Sequence, residues 1–171
     1  GIASPEALLG QRIGVLSTAG QTGVSATAML ERWGLPRQQV TLEELGTYPA
    51  IYQALQEGRV AAGVLTADYG IAGSLAFGLR RLADLGTELQ FQGPIVATTR
   101  RFAQAHPDRV QRAVDGYVQA IALFATGAPQ VIDSLKRHLK FLDHEQALAV
   151  HGFYAQRFQR LPHPSEAGLQ R

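Results

Sequence analysis

Residues 17–23, Ser-Thr-Ala-Gly-Gln-Thr-Gly, put hydroxyls, an amide and two glycines into one short turn. The turn follows an apolar run at 12–16 and feeds a helical pattern at 24–33. Backbone N–H groups exposed at such a helix start favour an anionic or polar group. Ser17, Thr18, Gln21 and Thr22 add neutral donors beside Ala19 and Gly20. This set can hold a carboxylate, sulfonate or nitrate without a cation. A plain strand-to-helix turn, whose Ser and Thr only cap the helix, would use the same residues. In a parallel sheet two further strand ends reach the same side, at 46–48 and 66–69. Tyr48 and Tyr69 can wall a crevice there, with Thr66 and Asp68 as polar contacts. Asp68 is read first as the N-cap of the next helix, because Asp is a preferred capping residue.

Other chemistry finds no matching pattern. Gly20-Gln21-Thr22-Gly23 fits neither a dinucleotide-binding fingerprint nor a P-loop, and no Lys stands near it to meet a phosphate. Gly23-Val24-Ser25-Ala26 does not complete a nucleophile elbow. His144 and His151, two of the 5 histidines, share a helix face but lack a carboxylate partner at ligand spacing. Glu43 and Glu44 are adjacent on an expected strand and point to opposite faces, so they do not form an acid/base pair. No catalytic residue, metal site or cofactor is therefore expected. The pairs Arg80-Arg81 and Arg100-Arg101, and the basic cluster at 136–140, read as solvated faces. Without interleaved aromatics they make no nucleic-acid platform.

The elements that would position the turn follow β-α-β-α-β order. Strands are expected at 12–16, 40–45 and 60–65, and helices at 24–33, 49–56 and 68–77. Ser4-Pro5-Glu6 opens a short first helix. Residues 60–65 are continuously apolar, as in a buried parallel strand. Further strands are expected at 81–85 and 94–99. The rest is helical, with Val110, Val114, Tyr117, Val118, Ile121 and Phe124 at helical spacing after Pro107. Further helices are expected at 131–140 and after Asp143. The expected class is α/β: a three-layer lobe with a parallel-rich sheet, then a strand and a helical C-terminal segment. Its divisions are 1–86, 87–99 and 100–171.

Composition agrees with a globular chain. Its 171 residues are 46% hydrophobic and 18% charged, with a net charge of +2. Charge of that size does not call for nucleic acid. The absence of Cys excludes disulfides and thiol chemistry. No apolar run approaches the roughly 18 residues of a membrane span. The opening GIASPEALLG has neither a basic nor an apolar leader pattern, and Gly1 is read as the product of processing or trimming.

Several stretches carry a family resemblance. They are Ser4-Pro5-Glu6-Ala7-Leu8, Gln11-Arg12-Ile13-Gly14-Val15, Gly58-Arg59-Val60, Ile95-Val96-Ala97-Thr98-Thr99, and Phe102-Ala103 with His106-Pro107-Asp108-Arg109-Val110. In order and spacing these resemble the NMT1/THI5-like substrate-binding proteins of ABC importers. Those are type II periplasmic binding proteins of the nitrate, sulfonate, taurine and thiamine-precursor group. The resemblance implies a middle lobe at 8–86 and part of an outer lobe at 94–161, with the outer lobe's beginning absent. It implies ligand contacts from Ser17 to Thr22, and from the hinge-side strand end near Thr98. It implies a non-catalytic, extracytoplasmic protein that hands a small solute to a membrane permease. A ligand-sensing regulator and a thiamine-pyrimidine enzyme on the same fold are the alternatives. The apolar helix faces at 107–125 and 144–158 would then need cover from the first lobe or from a second copy, as in a homodimer.

Overall fold

The computed structural model of the chain describes residues 2–89, 95–160 and 162–163. The chain divides into two compact units, Gly1–Leu89 and Gln90–Arg171. The first opens with a 3-10 helix, Pro5–Leu8, that starts at Pro5 behind Ser4. Strands β1 (Arg12–Val15), β2 (Thr41–Glu44) and β3 (Ala62–Gly63) follow, in the spatial order β2-β1-β3 and all parallel. The β-α-β-α-β reading is met, although β3 is shorter than the expected 60–65. Bonds from Ala61 N to Arg12 O (2.9 Å) and from Val64 N to Gly14 O (2.9 Å) carry its pairing one residue further at each end.

Helices α1 (Gln21–Arg32) and α2 (Tyr48–Gln56) supply the connections, and α3 (Ala67–Phe77) follows β3. The side chains of β1 show how the layers form. Ile13 joins a core of Leu8, Leu30, Leu35 and Val40, with Leu42 and Ala62 beside it in register. Leu30 belongs to α1, so α1 covers that face. Gly14, the next residue, faces the other way. A Cβ on Gly14 would stand 3.2 Å from Ile51 Cγ2 of α2, and one on its register partner Gly63 only 2.6 Å away. Two neighbouring glycines thus let α2 lie close on the sheet, with Ile51 fully buried. The helices occupy opposite faces of the sheet, giving three layers. α3 packs on α2.

Two expected strands are not formed. At 81–85 the chain bends, and Asp84 caps a short helix α4 (Leu85–Glu88), accepting from Gly86 N at 3.2 Å. Arg81 meets the same carboxylate at 3.5 Å. Local capping has replaced a ladder there. At 95–99 the backbone is irregular and exposed, with Val96 77% exposed, and Thr99 caps the next helix by accepting from Phe102 N at 3.1 Å. Apolar β-branched residues without a neighbouring strand make no sheet. Pro94 lies outside the described residues.

The second unit is helical among its described residues: α5 (Arg100–Ala105), α6 (Pro107–Ala125), α7 (Pro129–His138) and α8 (His144–Ala155). Asp143 and Gln146 form a reciprocal capping box at the start of α8. Val131, Ile132, Leu142, Ala147 and Val150 are its buried core. Within this unit α6 has no buried residue, and Val114, Tyr117 and Leu123 are about half exposed. At its C-terminal end Phe124 meets the rings of His151 (4.9 Å) and Phe158 (5.1 Å). His151 Nε2 also lies 2.8 Å from Phe124 O, which makes this histidine a helix-packing residue. An open recess of about 520 Å³, lined by Ile121, Phe124, Phe158 and Arg160 among others, lies beside that contact. No described helix is long and apolar enough to cross a membrane.

The close approach of α2 to the sheet predicts a coupled effect. Gly63→Ala is expected to destabilise the fold by about 1–3 kcal/mol in urea unfolding, through overpacking against Ile51. In an Ile51→Ala background the same change is expected to cost less. Equal costs in both backgrounds would show that the pair does not interact.

Candidate functional site

The site forms where the three parallel strands end. Val15 and Glu44 are register partners and the last residues of β1 and β2. Leu45 N donates to Val15 O (2.9 Å) and Gly46 N to Leu16 O (3.1 Å), so the two loops leave the sheet together. This brings the Glu44 side chain beside the turn after β1. Its Oε1 accepts from Thr18 N (2.6 Å) and Thr18 Oγ1 (2.5 Å), and Ser17 Oγ lies 3.5 Å away, at the edge of bonding range. These bonds hold the Glu44 carboxyl below its ordinary value of 4.5, with Thr18's hydroxyl first and its backbone N–H second, against a small opposing effect of burial. The turn's donors therefore already hold an anion, and it belongs to the chain itself.

The other turn residues divide by role. Thr22 is buried, and its Oγ1 accepts from Leu16 N at 3.0 Å, closing the loop from inside. That bond positions the turn. Gly20 is the N-cap of α1 and offers no side chain, so no side-chain cap bond covers the helix start. Ala19 and Gln21 are exposed, and Ser17 and Gly20 are half-buried. Gly23 was missed as a constraint by sequence reasoning. A Cβ there would fall 2.2 Å from Thr18 O and 2.6 Å from Ser17 O. Only glycine lets the turn fold back on the first coil of α1.

At the second and third strand ends, Thr47 caps α2 by accepting from Ala50 N at 3.3 Å. Tyr48 opens α2 and Tyr69 lies in the first turn of α3. The structure brings their rings together, with centroids 6.2 Å apart. Tyr52 continues the row toward Tyr69 (5.5 Å) and Phe77 (5.3 Å). Burial raises the Tyr52 and Tyr69 hydroxyls above their usual range, and for Tyr69 the charge of Asp68 adds to it. Asp68 is not the N-cap, contrary to the first reading. Thr66 takes that position without a side-chain bond, and Asp68 stands at the second helical residue, 8% exposed. There its charge meets the positive end of the α3 dipole. Thr98 is exposed and belongs to the second unit.

Basic residues of this unit lie elsewhere. Arg12, at the start of β1, and Arg59 pair with Glu43 at 3.4 and 3.3 Å, and Arg32 at the end of α1 pairs with Glu88 at 3.1 Å. Glu43 and Glu44 thus serve separate purposes, as their alternate directions require. Among the described residues no group of three or more His, Asp or Glu is placed to hold a metal.

Two measurements follow from this geometry. Because the Glu44 carboxyl is depressed, its bonds contribute stability above the ordinary carboxylate value and lose it as pH falls through the depressed one. The Thr18 amide resonance is expected to titrate below pH 4.5, and Glu44→Gln to remove that titration. A Thr18 amide insensitive to pH would show that the bond is not made in solution. Gly23→Ala is expected to cost about 1–3 kcal/mol by overpacking and to shift the resonances of residues 17 and 18, as NMR would show.

The family model described as NMT1/THI5 like matches residues 1–130. No curated protein matches the chain. Among solved structures, the chain is similar to the alkanesulfonate-binding protein SsuA from Xanthomonas axonopodis pv. citri bound to MOPS. The TM-score is 0.72 at 22% identity, covering 96% of this chain and 53% of that one. It is also similar to the periplasmic aliphatic sulphonate binding protein SsuA from Escherichia coli, with a TM-score of 0.70, 22% identity, and coverage of 95% and 52%. The chain spans about half the length of these structures, and at that identity the likeness is one of fold. With a family match over most of its residues and a periplasmic-binding-protein fold, the chain belongs to the NMT1/THI5-like family.

Proposed function

We propose that the chain is part of an extracytoplasmic solute-binding protein that serves an ABC importer. It would hold a small anionic or heterocyclic organic solute of the nitrate, sulfonate, taurine or thiamine-precursor kind without catalysis. The observation that carries this reading is the gathering of polar and aromatic residues at one sheet end. Ser17, Thr18, Gln21, Tyr48, Thr66, Asp68 and Tyr69 all lie in loops or first helical turns beyond the strand C-termini. In open α/β sheets that is where ligands bind. Family membership and two neighbours whose names describe sulfonate binding support the same reading. In mechanism, the sheet-end loops would take one side of the solute. Closure of a partner lobe over it would present the loaded form to the permease.

Binding should stabilise the folded state. A solute at about 100 times its Kd adds about 2.7 kcal/mol. For a protein of this size that is a rise of roughly 5–10 °C in melting temperature. Scanning fluorimetry of this chain and of the complete protein is expected to show such a rise with one member of a panel of sulfonates, nitrate, carboxylates and pyrimidines, or with cell extract. No rise with any of these would contradict solute binding. Stoichiometric iron or zinc in the purified protein, with turnover of a pyrimidine precursor, would point to an enzyme instead.

A further inference from the structure

We infer that Glu44 is a built-in competitor at the turn after β1: its carboxylate occupies the turn's donors, and an anionic group reaches them only when Glu44 swings away. The gate presupposes the solute-binding reading and adds control of access to it.

The competition is one of hydrogens. Thr18 has a single N–H hydrogen and a single hydroxyl hydrogen to give. Both go to Glu44 Oε1, at 2.6 and 2.5 Å. An incoming sulfonate or nitrate finds neither donor free. It cannot share them with Glu44, because two anions on one pair of donors repel each other. The occupant is the ionised carboxylate, since these same bonds hold the Glu44 carboxyl below its ordinary value. Bonds of this charge-assisted kind are the stronger ones. The geometry is also convergent. Thr18 N, Thr18 Oγ1 and Ser17 Oγ all lie within 3.5 Å of the same oxygen, so the turn aims three donors at one point. An anion already stands at that point, and it is the chain's own.

The contact can open without dismantling the turn. Glu44 and Thr18 are both exposed, so water can replace each for the other. Glu44 forms no ion pair with a described residue, whereas its neighbour Glu43 takes both Arg12 and Arg59. Other bonds keep the path of the chain. Leu16 N donates to Thr22 Oγ1 (3.0 Å), Gly20 N to Ser17 O (3.3 Å) and Gly46 N to Leu16 O (3.1 Å). Glu44 ends β2, and its backbone stays in register with Val15 while its side chain turns outward. What is then uncovered is a set of neutral donors, which suits the oxygens of a small oxyanion such as nitrate or a sulfonate.

NMR titration of the labelled chain with nitrate and with methanesulfonate, at neutral pH and constant ionic strength, tests this. A competitor that holds the donors about nine-tenths of the time weakens apparent affinity about tenfold. Glu44→Ala is accordingly expected to bind each anion about tenfold tighter than the wild type, with the largest shifts at residues 17 and 18. Glu44→Gln, which leaves a neutral acceptor in place, is expected to fall between the two. Adding Thr18→Val to Glu44→Ala removes one donor and is expected to reverse most of the gain. Should Glu44→Ala fail to fold, Glu44→Gln against the wild type decides by itself. Equal affinity in the wild type and the Glu44 variants, or tighter binding to the wild type, would overturn the inference. A gain that survives Thr18→Val undiminished would mark a general charge effect and overturn it as well. No anion bound by any variant, alongside a thermal shift with another solute or with cell extract, would overturn the gate and leave solute binding intact. No response to any of these would overturn both readings.

Discussion

The carboxylate of Glu44 is the constraint on which the rest of the site depends. The parallel register sets it beside Val15, and from there it reaches the backbone and hydroxyl of Thr18. A turn of small polar residues has little stiffness of its own. Glu44 pins it from outside and Thr22 from inside, and the missing side chain at Gly23 lets it sit on the helix. Shape and charge at this sheet end thus arise from one arrangement. The same bonds that order the turn also occupy it.

Charge is distributed by strand direction. Arg12, at the start of β1, and Arg59, ahead of β3, share Glu43, while Glu44 and Asp68 beyond the strand ends form no ion pair with a described residue. In a parallel sheet all helix N-termini point to the strand-end side, which favours negative charge there. In this chain two side chains of its own meet part of that demand. Fold and ligand preference are separable properties, since preference lies in a few loop residues.

Much of the architecture was legible in the sequence because its signals are local. The apolar run ending at Val15, the Gly-Thr turn and the Pro49 helix start each report their own element. The placement of the candidate residues was legible in outline: Ser17, Thr18, Tyr48, Thr66 and Asp68 all lie beyond the C-terminal ends of parallel strands. What was not legible depended on tertiary placement. Glu44 reads as a surface carboxylate until β2 is set beside β1. Gly23 reads as a turn glycine, yet what requires it is a backbone oxygen packed against the helix. Asp68 has the composition of a cap, but Thr66 already held the extended geometry that a cap requires. The stretches at 81–85 and 95–99 have strand-like residues, but a strand needs a neighbour, and capping by Asp84 and Thr99 prevailed where none was present.

The central claim is that solutes meet this chain at the strand-end face built around Glu44, Thr18 and Asp68. Amide chemical-shift mapping of the isotopically labelled chain, with a solute that raises its melting temperature, tests it most directly. The account predicts that the largest changes fall at residues 16–22, 44–48 and 66–69. Largest changes around Arg12, Arg37 and Arg59 at the opposite end of the sheet, or confined to α6 and α8, would contradict it.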